Sequence, residues 1–330
     1  MILAGDIGGT STRLGIFDVQ GGRVVLVDVA TFTSRNHVSL DHAVREFVAS
    51  RSVRIEHACF AVAGPVADGR VKTSNLPWVI EASTLSALLQ LPQVWVINDL
   101  EAAAYGLALL HEQDLLVLNP GAPQARGNAA IIAAGTGLGE AGLYWDGGQH
   151  HPFACEGGHT DFAPRTVEQV ELLQHLSQRF ERVSCERVLS GPGLEDVYRF
   201  LREQTADEEP AWLLEDMARR GAAAAISHAA LQGTYEVATR ALDLFVSVYG
   251  AEAGNLALKM LATGGLYVGG GIAPRIAPKL VDGTFMDAFV AKGRMRPLLE
   301  AIPVRVVLNE HTGLIGAARV AALRASLVAT

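Results

Sequence analysis

The sequence predicts an α/β protein built as two halves, each opened by a buried strand that runs into a glycine turn. Three observations lead there. Short β-branched or apolar runs alternate with segments of helical periodicity along most of the 330 residues. Two turns echo each other, Asp6-Ile-Gly-Gly-Thr10 and Ala133-Ala-Gly-Thr-Gly137. A third glycine cluster, Gly264-Gly265 with Gly269-Gly270-Gly271, brackets a strand near the end of the chain.

The first half starts with Ile2–Ile7, Thr12–Val19 and Arg23–Phe32, read as an antiparallel three-strand meander with Gly21-Gly22 as one of its turns. Leu40–Ser50 places Leu40, Ala43, Val44 and Phe47 at helical spacing. His57–Val62 is a strand ending at Gly64-Pro65. Val94–Ile97 is an apolar strand that stops at Asn98-Asp99, and Asp99–Leu110 is an alanine-rich helix. The second half carries strands at Ala129–Ala134, Ala141–Trp145, Leu266–Val268 and Val304–Leu308. Helices are expected at Thr166–Phe180, Gly193–Glu203, Pro210–Leu231, Tyr235–Leu261 and Thr312–Val328, with Gly250 and Gly254 weakening the middle of the longest.

Bulk composition narrows the function. Hydrophobic residues make up 49% and charged residues 19%, enough apolar material for a sizeable core. There are 27 Lys and Arg against 35 Asp and Glu, a net charge of −8. That balance argues against nucleic-acid and anionic-membrane partners. It leaves room for a phosphate ligand, which a nest of backbone amides can bind on an acidic protein. Three dispersed cysteines, Cys59, Cys155 and Cys185, read as reduced thiols. No export signal is visible at Met1–Asp6, and no apolar run reaches membrane-spanning length, so a cytoplasmic protein is expected.

The turns carry the chemistry. In Asp6-Ile-Gly-Gly-Thr10 a strand ends in two glycines that let a ligand approach the backbone. A carboxylate at that strand end suits Mg²⁺, held directly or through water; a tight hairpin with a charged edge is the alternative. Ala134-Gly-Thr-Gly-Leu-Gly139 is a second such turn. Gly137, Gly139 and Gly142 match G-x-G-x-x-G, but strand-like Leu143–Trp145 follows where a dinucleotide fold needs a helix. A phosphate-gripping hairpin fits better. The third glycine cluster suits a flat purine, and no P-loop signature occurs. Asn98-Asp99 ends an apolar strand, where α/β folds place reactive groups; on local grounds Asp99 is equally well an N-cap. His150, His151, Cys155 and His159 lie close in sequence, but their spacing is not that of a zinc site.

In this order the motifs resemble the sugar kinase, heat-shock ATPase and actin superfamily, and more closely the bacterial glucokinase family. The resembling stretches span nearly the whole chain: the two turns above, Ala63-Gly-Pro-Val-Ala-Asp68, Ile97-Asn-Asp-Leu100, Glu156-Gly-Gly-His159 with Asp161-Phe-Ala-Pro164, Glu186–Gly193, and Gly264–Ile272. Two departures are Ser11-Thr12, where Asn-Ala is more usual, and Glu140, where an apolar residue is. The cysteine-rich zinc site of the related repressor and kinase branch is not matched.

The resemblance implies a duplicated ribonuclease H-like, or actin-like ATPase, fold of two lobes with a cleft between them. The small lobe would take residues 1–98 and be completed by a C-terminal helix at about 312–330; the large lobe would take 99–311. It implies ATP-dependent phosphorylation of glucose at the 6-hydroxyl, with Mg²⁺, in a homodimer. Asp99 would be the catalytic base. Asn98, Asp99, Glu156, His159 and Glu186 would bind the sugar, joined by Asn75 from the other lobe. Asp6, Gly8, Gly9, Thr10, Gly135, Thr136, Gly137, Gly264, Gly265 and Gly269 would hold the nucleotide, and Asp6 its Mg²⁺. Two other readings stand beside it: a kinase for a different hexose or a hexosamine, and a non-catalytic sugar-sensing regulator, for which no DNA-binding segment is seen.

Overall fold

The computed structural model describes residues 1–73, 76–206 and 208–328. Its strands are β1 (Ile2–Ile7), β2 (Ser11–Gln20), β3 (Arg23–Thr33), β4 (His57–Val62), β5 (Arg70–Lys72), β6 (Val79–Glu81), β7 (Trp95–Asn98), β8 (Leu115–Asn119), β9 (Ala129–Ala134), β10 (Leu138–Trp145), β11 (His150–Cys155), β12 (Gly265–Gly269) and β13 (Val304–Val307). Its helices are α1 (Leu40–Ala49), α2 (Ala82–Leu89), α3 (Asp99–Leu107), α4 (Val167–Ser177), α5 (Gly191–Arg202), α6 (Ala211–Arg220), α7 (Ala222–Gln232), α8 (Glu236–Met260), α9 (Ala277–Leu280), α10 (Thr284–Val290), α11 (Arg296–Glu300) and α12 (Thr312–Arg324). None of the described helices is long and apolar enough to cross a membrane.

The chain packs into two compact units. One comprises Met1–Asp114, Ala141–Ala154 and Asn309–Thr330; the other comprises Leu115–Glu140 and Cys155–Leu308. The first unit is built on a sheet of order β3-β2-β1-β4-β7. β1, β2 and β3 form the expected antiparallel meander, while β4 and β7 add in parallel. Side chains alternate across a strand, so β1 feeds two cores. Leu3 and Ile7 pack with Val44 and Phe47 of α1; Ile2 and Ala4 pack with Leu314, Ala317 and Ala321 of α12. Helix α1 starts where Ser39 accepts a hydrogen bond from His42 N, and it buries Leu40, Ala43, Val44 and Phe47.

The second unit carries the strand run β9-β12-β13-β8, in which β9, β12 and β13 are parallel and β8 is antiparallel. Helix α8 is apolar on nearly every side and is the centre of this core. Two expectations change here. The single helix at Pro210–Leu231 is broken into α6 and α7 by Gly221, whose φ of 90° no continuing helix tolerates. Gly250 and Gly254 do not weaken α8: they face the backbone carbonyls of Phe285 and Phe289, and side chains there would collide with α10.

Candidate active site

In the first unit the alternation of β1 turns Asp6 toward α12. Its carboxylate lies beside Gly313 and 3.6 Å from Arg13 Nη1, and Arg13 Nη2 is 3.5 Å from Glu310 Oε2. Burial pushes the Asp6 carboxyl above its ordinary range, against the pull of Arg13 and, more weakly, His311. A half-buried carboxylate with one cation at that distance is incompletely neutralised. The donor is hard oxygen, so the position fits Mg²⁺ or its hydration shell.

The turn after β1 is closed by Gly8 N–H, which donates to Ser11 O at 3.0 Å. Gly8 therefore shapes the turn and keeps its amide inside it. Ser34 braces the same turn: its N–H donates to Thr10 O at 3.1 Å and its hydroxyl to Gly8 O at 2.9 Å. Thr12 Oγ1 lies 3.0 Å from Ser34 Oγ, and both residues are fully buried. The sequence departure at Thr12 thus supplies a hydroxyl to this brace. Nothing in the local pattern around Ser34 announced it.

The strand β7 ends in Asn98, and α3 begins at Asp99. The cap belongs to Asn98, not to Asp99. Its side-chain oxygen accepts from Leu100 N at 2.9 Å and Glu101 N at 3.1 Å, and its amide nitrogen donates to Gly64 O at 3.3 Å. An amide nitrogen carries two hydrogens, so a second donor remains for a ligand. Asp99 is half-buried, with Oδ1 3.0 Å from Leu100 N. Asn75, expected to reach the sugar, lies outside the described residues.

In the second unit Glu156 leads into the single turn Gly157–His159. Glu156 Oε2 and His159 Nε2 are 3.9 Å apart and both side chains are half exposed, so each is open to a ligand. The turn is tied down by Cys185 N–H to Thr160 O at 2.8 Å and by Arg182 Nη1 to His159 O at 2.6 Å. Glu186 therefore follows directly from the segment that anchors the Glu156–His159 turn. Its Oε2 accepts from Leu138 N at 3.1 Å and lies against Gly137, where a side chain would displace it. Gly137 is needed for this carboxylate. The neighbouring amide of Gly135 donates to Gly137 O at 2.8 Å and closes the second turn from within. Thr136 sits between them.

β9 and β12 are parallel and in register from Gly265↔Ala129 to Gly269↔Ala133. Their carboxyl ends, the edge where open α/β sheets bind ligands, bring Gly269 beside the Gly135–Gly137 turn. Gly270 continues along Ala134, and Ile272 N–H donates to Ala134 O at 3.2 Å. Gly264 and Gly265 do not join this edge. They open β12 at its other end, about 13 Å away by strand rise, and Gly264 packs on Gly127. The sequence assigned both glycine groups to the nucleotide, although they bracket a strand and so lie at its opposite ends. A further brace comes from Tyr249 of α8: its hydroxyl accepts from Ala134 N at 3.2 Å and lies 3.4 Å from Ile132 O and from Gly269 O.

Comparison with known proteins identifies the family across nearly the whole chain. The family model described as Glucokinase matches residues 3–324. A curated glucokinase of Nostoc sp. is 42% identical, over 98% of this chain and 99% of its own length. The crystal structure of a glucokinase from an Antarctic psychrotroph superposes with a TM-score of 0.79 at 34% identity, covering 97% of this chain and 98% of that one. A ROK family glucokinase from Streptomyces griseus, solved with glucose and AMPPNP, shares the fold at a TM-score of 0.70 and 24% identity, over 98% and 99% of the two chains.

Proposed function

The chain belongs to the glucokinase family, and on that premise we propose that it transfers the γ-phosphoryl group of ATP to the 6-hydroxyl of glucose. It is an enzyme, and glucose phosphorylation is its activity. The observation that carries the assignment of residues is the hydrogen bond from Leu138 N to Glu186 Oε2. It ties one proposed sugar ligand to the turn proposed to grip phosphate, so donor and acceptor substrates are registered on one rigid segment.

The roles follow from the groups present. Glu156, His159 and Glu186 bind ring hydroxyls; each carboxylate offers two acceptor oxygens, which suits vicinal hydroxyls. Asn98 adds its remaining amide hydrogen. Asp99 takes the proton of the 6-hydroxyl as that oxygen attacks the γ-phosphorus. The turns at Gly8–Thr10 and Gly135–Gly137 each bind phosphate, with Thr10 and Thr136 supplying hydroxyls, and Gly269 lies along the adenosine. Asp6 holds Mg²⁺, which supplies neutralisation of the β- and γ-phosphate charge. Phosphoryl transfer needs position and electrostatics more than covalent help. The same reading places the protein in the cytoplasm, at the entry of glucose into glycolysis, as a homodimer; light scattering tests the assembly.

The test is ADP release, coupled to an indicator enzyme, over glucose, mannose, glucosamine, N-acetylglucosamine and 6-deoxyglucose. Turnover with glucose and none with 6-deoxyglucose is expected. Faster turnover with a hexosamine would give the site to that sugar, and binding without ADP release would make the chain a sensor.

A further inference from the structure

Glu140 departs from the apolar residue usual after the second glycine turn, and the roles above leave it unused. It stands on β10, and its side chain is 1% exposed. It is directed under the Glu156–His159 turn: Oε2 lies against Gly157, where any side chain would overlap it. Oε1 is buried and has no hydrogen-bond partner among the described residues. Cys155 Sγ donates to the Glu140 backbone carbonyl at 3.4 Å, which fixes the start of the same turn over the carboxyl.

The surroundings offer Glu140 little help as an anion. From α8 it feels Glu252, 5% exposed, and more distantly Lys259 and the Tyr249 hydroxyl. Glu252 has its own partners, Asn255 Nδ2 at 2.8 Å and Lys259 Nζ at 3.4 Å, and Lys292 Nζ reaches the same Asn255. Among the described residues, the thiols of Cys155 and Cys185 and the side chains of Glu156 and His159 also stand on this side. Burial first, and the Glu252 charge second, push the Glu140 carboxyl up to about 7.

We propose that Glu140 is a positioning residue for the sugar: neutral, it forms the floor on which the Glu156–His159 turn rests, and ionised, it loosens that turn. The inference rests on the reading of Glu156 and His159 as glucose ligands. Its physical ground is that a buried carboxylate without a donor must find water or remain uncharged. On the helix side Glu252 repels it. Toward Gly157 only a backbone turn separates it from the half-exposed Glu156 and His159. Water reaches the Glu140 carboxyl from that side by displacing the turn that lies on Oε2, and the ligands move with it. Glucose binds the ordered turn, so it holds the proton on Glu140, and affinity falls as the proton leaves.

The direction is fixed. The KM for glucose rises as pH climbs through neutrality, by tenfold for each pH unit by which bound glucose raises the titration of Glu140. The kcat at saturating glucose keeps its value, because the turn is then ordered. Glu140→Gln keeps shape without charge, so its KM stays at the acid-side value of the parent from pH 6 to 8.5. Glu252→Gln removes the like charge and moves the rise to lower pH. A Glu140→Gln enzyme whose glucose KM still rises with pH like the parent's overturns the proposal.

A second measurement does not depend on sugar. Amide hydrogen exchange over Glu156–Thr160 at pH 8 is faster in the parent than in Glu140→Gln. Equal exchange overturns the proposal. Slower exchange in the variant with no change in glucose affinity at any pH overturns instead the sugar-ligand assignment on which it rests.

Discussion

Asp99 stands one residue past the group that caps α3, and this separates its chemistry from the fold. Asn98 already satisfies Leu100 N and Glu101 N through its own oxygen, so Asp99→Asn leaves the helix start intact. It removes a basic carboxylate and nothing else of size. General-base contributions run to about 10²–10⁴-fold, and kcat is expected to fall on that order while the glucose dissociation constant and the circular dichroism stay as they were. Near-parental kcat would remove Asp99 from the mechanism. Glu156 makes a complementary case. Its carboxylate is half exposed and touches His159 at 3.9 Å, so truncation leaves no hole in the core. Glu156→Ala should raise the glucose KM by roughly 10- to 100-fold, the scale of losing a charge-assisted hydrogen bond of about 1.5–3 kcal/mol, with little change in the KM for ATP. Equal effects on both substrates would point to a damaged fold instead.

At the scale of elements, α8 reaches the edge proposed for the nucleotide through one hydroxyl. Tyr249 is fully buried, and its oxygen serves the ends of β9 and β12 together. Tyr249→Phe keeps the ring against Phe245 and Phe285 and leaves Ala134 N–H without its partner. An orphaned buried donor costs about 1–3 kcal/mol. The expected result is a lower unfolding midpoint and a KM for ATP raised several-fold, the glucose KM unchanged; an ATP KM equal to the parent's would show that the brace does not set the nucleotide edge. This brace was invisible in the sequence, since a tyrosine inside an apolar helix reads as core. The meander β1–β3 and helix α1 were legible because period-2 and period-3.6 patterns each sit on one buried face. The three-residue strands β5 and β6 were not, having too few residues to show a period. The break between α6 and α7 hid because Gly221 alone marks it. The strand-end positions of Asp6, Asn98 and Gly135 could be read from where apolar runs stop. That Gly264 and Gly265 open β12 could be read as well, but not that their end lies away from the Gly135–Gly137 turn, because sequence alone does not say which strand end faces a ligand.

At the scale of the whole molecule, buried ionisable groups set how stability follows pH. Glu140 has a folded titration raised from 4.5 to about 7. A raised acid binds its proton more tightly when folded, so its contribution is fully present below pH 4.5 and is lost as pH rises to about 7. The range corresponds to about 3 kcal/mol as an upper figure, at 1.36 kcal/mol per pH unit, and water entering the site would reduce it. Lys292 acts in the opposite sense. Burial and the nearby Arg165 depress it from 10.5 to about 8, so the folded chain sheds a proton that the unfolded chain keeps, and stability recovers between pH 8 and 10.5. Carboxylates at the surface that are lowered by hydrogen bonds or ion pairs, such as the partly buried Asp18 and Asp216, add stability that is present above the unfolded carboxyl range and lost only in stronger acid; they weigh little. The curve is therefore expected to peak near pH 5, decline to a shallow trough at about pH 7–8 and recover only up to about pH 9, above which the buried thiols of Cys59 and Cys185, pushed up by burial, oppose the gain from Lys292. Denaturant midpoints taken across that range check the shape. Glu140→Gln should abolish the decline below pH 7 and leave the rise above pH 8, because the second belongs to Lys292; a variant that declines as steeply as the parent would show that the proton lost near neutrality comes from another group.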